Sequence, residues 1–85
     1  MKVTVKYFAS IRESAGTECE VMELDPMPIT VDALRAMLCE RGPNMGEALS
    51  TDRVVRTAVN MELRSGSYLL HDGCEVAFFP PVTGG

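Results

Sequence analysis

The side chains that ordinarily do chemistry are sparse in this chain. One histidine, His71, cannot assemble a metal cluster, and no nucleophile-and-base spacing surrounds it; it precedes the turn dipeptide Asp72-Gly73 and reads as an exposed loop residue. Cys19, Cys39 and Cys74 are odd in number, widely separated and never in a C-x-x-C pair. Neither a disulfide framework nor a zinc site follows, no metal is expected, and reduced thiols are the default. The glycines before the C-terminus stand singly, so no glycine-rich phosphate loop is present and no cofactor is expected to bind. That leaves the last six residues, Pro80-Pro81-Val82-Thr83-Gly84-Gly85.

Their physics is that of a presented peptide. Two consecutive prolines lack N–H groups and favour the extended polyproline conformation, so they end sheet pairing and hold the segment away from the body. Six residues reach about 20 Å, far enough to enter a pocket on another subunit. Glycine without a Cβ lets bare backbone pass a narrow channel and leaves the terminal carboxylate of Gly85 open from either side. A C-terminal carboxylate of pKa about 3.3 to 3.7 is ionised at neutral pH and is a poor electrophile, so reaction there requires a leaving group first. The competing reading is a frayed terminus that happens to end in two glycines.

The elements that must carry this tail emerge from periodicity. Lys2 to Phe8 alternates, with Val3, Val5 and Tyr7 on one face and Lys2, Thr4, Lys6 and Phe8 on the other, which predicts a strand. A loop containing Ala15-Gly16-Thr17 leads to a second strand over Glu18 to Leu24, making a hairpin of open register. Asp25-Pro26-Met27-Pro28 stops it. Thr30 then caps a helix whose stripe is Val31, Leu34, Met37, Leu38 and Arg41, ended by Gly42 in a left-handed cap and by Pro43. Residues 44 to 52 read as a connection with one helical turn. The β-branched run Arg53 to Val59 predicts a third strand, Asn60 to Leu63 turns into a short one, and Ser65-Gly66-Ser67 loosens the chain on its way to His71. After Asp72-Gly73, Cys74 to Phe79 predicts the last strand, with Val76 and Phe78 on one face and Glu75, Ala77 and Phe79 on the other. The expected architecture is one α+β domain over residues 1–79, a mixed sheet with one main helix packed on one face, continued by the extended tail 80–85. That order suits a β-grasp.

Composition narrows the function classes. A chain of 85 residues has room for one modest core and little room for a deep catalytic cleft. Its net charge of -4, with eight basic residues scattered among twelve acidic ones, argues against nucleic acid. No apolar stretch approaches the ~20 residues of a membrane span, and the alternating N-terminus lacks a signal-peptide core; a cytoplasmic location is expected.

The block Asp72-Gly73-Cys74-Glu75-Val76-Ala77-Phe78-Phe79-Pro80-Pro81-Val82-Thr83-Gly84-Gly85 resembles the C-terminus of molybdopterin synthase small subunits, which are ubiquitin-like sulfur carriers. Tyr7-Phe8-Ala9-Ser10-Ile11-Arg12-Glu13 resembles their N-terminal block, and Val31-Asp32-Ala33-Leu34 and Ala58-Val59-Asn60 match weaker features between. Thiamine-pathway sulfur carriers share the fold and the Gly-Gly, but they usually lack Phe-Phe-Pro-Pro before it. The resemblance implies the β-grasp fold and a working group at Gly85. An E1-like adenylating enzyme would use ATP to adenylate its carboxylate, and a sulfur donor would convert it to a thiocarboxylate. The large subunit would receive the tail Pro80 to Gly85 in a heterotetramer and supply the catalytic side chains for sulfur transfer to cyclic pyranopterin monophosphate. A sulfur-handling role also raises persulfide on a cysteine, against which stands the frequency of inert buried thiols and the lack of a cationic neighbour evident in sequence. A protein modifier joined to lysines through Gly85, or a non-covalent binding module, are the rival classes.

Strand parity adds an inference of its own. Phe8 and Phe79 share faces with Lys6 and Glu75, not with the core-like Val5 and Val76, and in a β-grasp the first and last strands are neighbours. The two rings are therefore expected to form an exposed patch beside the root of the tail, joined by Leu63. The alternative is a sheet that curls and covers them. Arg12 is the expected cation of this partner surface, ranked below the rings because exposed ion pairs are worth only ~0 to 1 kcal/mol.

Overall fold

Alternation is decisive at the N-terminus. In the computed structural model, which describes residues 1–81, β1 (Lys2–Tyr7) buries Val3, Val5 and Tyr7 and turns Lys2, Thr4 and Lys6 the other way. It pairs antiparallel with β2 (Cys19–Glu23), with Val3 opposite Met22 and Val5 opposite Glu20.

The connection between them is not the expected loop. Ala9–Ala15 forms a helix, α1, entered from the extended residue Phe8 and closed by Gly16 at φ 76°, whose N–H donates to the Arg12 carbonyl. Gly16 is the stop signal that a left-handed C-cap needs. Ile11 is the helix's one buried side chain, so its seven residues carry no apolar periodicity to read.

Helix α2 (Val31–Cys39) begins as the sequence predicts, the Thr30 hydroxyl accepting the Ala33 N–H at 3.1 Å. Val31, Leu34 and Leu38 are buried; Met37 and Arg41, expected on the same stripe, are exposed. Its end differs too. The C-cap is Glu40 in right-handed conformation, Gly42 is extended rather than left-handed, and Pro43 opens a further helix, α3 (Pro43–Ala48), instead of merely ending α2. Proline suits that first helical position, where its missing N–H has no partner to lose.

The third strand is shorter than its β-branched run. β3 covers Arg56–Val59 only, because Arg35 donates to the carbonyls of Leu49, Ser50 and Arg53 and holds that stretch in turns. A two-residue turn, Asn60-Met61, leads to β4 (Glu62–Leu63), and Asp72-Gly73, with Gly73 at φ 81°, launches β5 (Glu75–Phe79).

The five strands lie in the order β2-β1-β5-β3-β4, with β1 and β5 parallel and the other pairs antiparallel. One face carries Val3, Val5, Tyr7, Val59, Val76 and Phe78 into a core completed by Val31, Leu34 and Leu38 of α2, Ile11 of α1 and Met45 of α3. This is the β-grasp that the element order suggested, with two short helices added. Its last strand ends at Phe79, beside the first.

Candidate functional site

Among the described residues no helix lies on the face of the sheet away from the core, since α1, α2 and α3 all bury side chains in that core. Register places Lys6, Ala77, Ala58 and Leu63 in one row across β1, β5, β3 and β4, and sets Phe79 opposite Arg56. Because β1 and β5 run parallel, their ends lie together: the Phe8 N–H donates to the Phe78 carbonyl at 3.2 Å as the two chains leave the sheet. Phe8 and Phe79 therefore both lie on the side of the sheet away from the core. They line one open groove of about 770 Å³ with Ala9, Met61, Ala77, Pro80 and Pro81, and with Lys6 and Glu75, which pair at 3.4 Å. Phe8 is 46% exposed, whereas Phe79 is half-buried, so one ring projects more than the other.

The other two expected surface residues lie elsewhere. Arg12 pairs with its own neighbour Glu18 at 3.7 Å and lines an adjacent crevice with Lys6, Phe8 and Cys19. Leu63 is exposed on the outer row but lines a cleft at the β3–β4 edge with Arg35, Arg56 and Arg64. Of that face, Met61 is the residue sequence reasoning missed. It is 90% exposed and sits on the groove through the turn between β3 and β4, a placement visible only once the register is known.

Pro80 and Pro81 border the groove on one side and, on the other, a second cavity lined by Ile11, Ala48 and Val55. The root of the tail is thus set between sheet, α1 and α3. Val82, Thr83, Gly84 and Gly85 lie outside the described residues.

Beneath Phe8, Tyr7 is anchored. Its hydroxyl donates to Glu20 at 3.1 Å, and Arg41 at the end of α2 pairs with the same carboxylate. Burial first, then the negative charge of Glu20, push the Tyr7 ionisation well above its ordinary value, so the hydroxyl stays a donor. The network ties β1, β2 and α2 together just before the chain reaches the groove.

The remaining reactive side chains gather into nothing comparable. Among the described residues no three His, Cys, Asp or Glu side chains are placed to hold a metal ion. His71 is exposed in its loop, its Nδ1 3.2 Å from the Asp72 carbonyl oxygen. Cys74 is buried in the core and Cys39 is partly so. Cys19 is exposed and shares its crevice with Lys6 and Arg12, cationic neighbours that sequence order had hidden. No helix among the described residues is long and apolar enough to cross a membrane.

Residues 5–85 match the ThiS family. The chain is 42% identical over 83 residues to the molybdopterin synthase sulfur carrier subunit of Escherichia coli (strain K12), covering 98% of this chain and 99% of the relative. It is 30% identical over 94 aligned positions to small archaeal modifier protein 3 of Haloferax volcanii, with both chains covered in full. Among solved structures, a protein–protein complex of subunits 1 and 2 of the molybdopterin-converting factor from Helicobacter pylori 26695 contains a chain that matches with a TM-score of 0.68 at 28% identity, again over the whole of both chains.

Proposed function

Because the chain belongs to the ThiS family, and relatives over its whole length are named molybdopterin synthase sulfur carrier subunits, we propose that it carries sulfur as a thiocarboxylate on Gly85 in molybdenum cofactor biosynthesis. The observation that carries this reading is the coincidence of the uncovered apolar groove with the root of the Gly-Gly tail. A docked partner that covers Phe8 and Phe79 takes hold of the chain beside Pro80 and Pro81, where the tail begins.

The chemistry belongs to the terminus. The ionised Gly85 carboxylate attacks ATP on an E1-like adenylating enzyme, releasing pyrophosphate and giving an acyl adenylate. A sulfur donor then displaces AMP, and the carboxylate becomes a thiocarboxylate. Docked on the large subunit in a heterotetramer, the small chain is a co-substrate and not a catalyst. Its sulfur passes to cyclic pyranopterin monophosphate, and two such transfers build a dithiolene. ATP is used by the activating enzyme, and this chain binds no cofactor. In this reading the protein works in the cytoplasm with its two protein partners.

Reconstitution tests the assignment. Removing Gly85, or adding one residue after it, abolishes sulfur transfer to the pyranopterin while the thermal melt stays that of the intact chain, since the tail lies beyond the last strand. Synthase that still forms molybdopterin with the truncated chain contradicts the proposal. The likeness to small archaeal modifier protein 3 supports a second reading, a modifier joined through the same activated Gly85 to lysines of other proteins. Isopeptide-linked adducts recovered from cells would establish it.

A further inference from the structure

Met61 occupies a position that its own backbone disfavours. The loop joining β3 to β4 has two residues, Asn60 at φ 49° and Met61 at φ 69°, with Val59 paired to Glu62 across its base. Two central residues of positive φ define the hairpin turn in which Asn-Gly is the favoured pair, since the second place suits a residue without a Cβ. Asn tolerates the left-handed region; methionine adopts it only at a cost, because its Cβ crowds the next carbonyl. Among the described residues nothing in the packing repays this, for Met61 is 90% exposed. Strain of this kind persists where the side chain serves a purpose other than folding.

The side chain stands at the groove that Phe8, Ala77, Phe79 and Pro81 line. We infer that Met61 is a contact residue of the docking face, kept at a cost to the fold because its unbranched thioether chain packs against the apolar surface of the large subunit that covers Phe8 and Phe79. Methionine suits such a role, as its three rotatable bonds and polarisable sulfur fit irregular apolar surfaces. The inference rests on the reading of this groove as the large-subunit interface.

Affinity and stability must then move in opposite directions. Met61→Gly and Met61→Asn, residues at home at this φ, raise Tm by about 4 °C yet weaken binding of the large subunit encoded by the same genome by about fivefold. Met61→Leu, apolar and equally strained, retains both Tm and affinity to within about twofold. Phe79→Ala is titrated beside them in calorimetry. If Phe79→Ala weakens binding while Met61→Gly and Met61→Asn bind like the parent, Met61 is no contact residue and the inference falls, with the docking face intact. Unchanged affinity in all of these variants removes the docking face as well. A fall in Tm for Met61→Gly and Met61→Asn contradicts the claim that methionine is held there against the fold.

Discussion

Phe78 and Phe79 are adjacent in sequence and opposite in circumstance. Phe78 is fully buried in the core, whereas Phe79 is half-buried and lines the groove with Phe8 on a face that no helix of the described residues covers. The same contrast runs across the sheet: Val5, Val76 and Val59 lie side by side in the core, and Lys6, Ala77 and Ala58 lie side by side outside it. The outer face mixes charged side chains such as Lys6, Glu75 and Arg56 with the apolar Phe79, Ala77 and Ala58. The difference is whether the described residues supply a cover, as the helices do for the inner face and as none does for the outer one.

Removing each ring in turn should separate the roles. Phe78→Ala is expected to cost about 3 to 5 kcal/mol of stability through the cavity it opens, a large share of what an 85-residue domain has. Denaturant titration reads this directly, and a loss below ~1 kcal/mol would mean the inner face is not the core described here. Phe79→Ala should show the reverse balance, with a weakening of large-subunit binding by ~1 kcal/mol or more and a smaller loss of stability. Unchanged affinity with a large fall in Tm would place Phe79 with Phe78.

Tyr7→Phe probes the inner face at a smaller scale. Loss of the hydroxyl's bond to Glu20 should cost about 1 kcal/mol. Since burial and Glu20 raise the folded-state ionisation of Tyr7, its contribution is fully present below the unfolded tyrosine pKa of about 10 and is lost as pH rises above it. The parent should therefore lose stability on the alkaline side more steeply than Tyr7→Phe, which equal slopes above pH ~10 would contradict. Arg12→Ala should change stability least, within ~0.5 kcal/mol, because its pair with Glu18 is exposed on both sides.

Much of this contrast could be read from alternation. The parity of β1 and β5, the Thr30 cap and the Asp72-Gly73 turn are local signals, and each stands where the residues imply. The illegible parts depend on contacts between distant segments. Helices α1 and α3 are short and bury one side chain each, Ile11 and Met45, so packing defines them where periodicity cannot, α1 against α3 and the sheet, α3 against α1 and α2. Val54 and Val55 favour a strand, yet the grip of Arg35 on the Leu49, Ser50 and Arg53 carbonyls just before them overrides that preference. The cations near Cys19 come from β1 and α1, brought there by strand pairing. Met61 escaped notice for a related reason: only the register reveals that it fills a turn position favouring glycine.

The covalent state of Gly85 tests the central claim most directly. After incubation with ATP, the adenylating enzyme and a sulfur source, peptide mass spectrometry should find the C-terminal peptide heavier by one sulfur less one oxygen. Omitting ATP should prevent the change, and a folded variant with Cys19, Cys39 and Cys74 replaced by serine should still undergo it. Sulfur found instead on Cys19, Cys39 or Cys74, with Gly85 unmodified, would contradict the account.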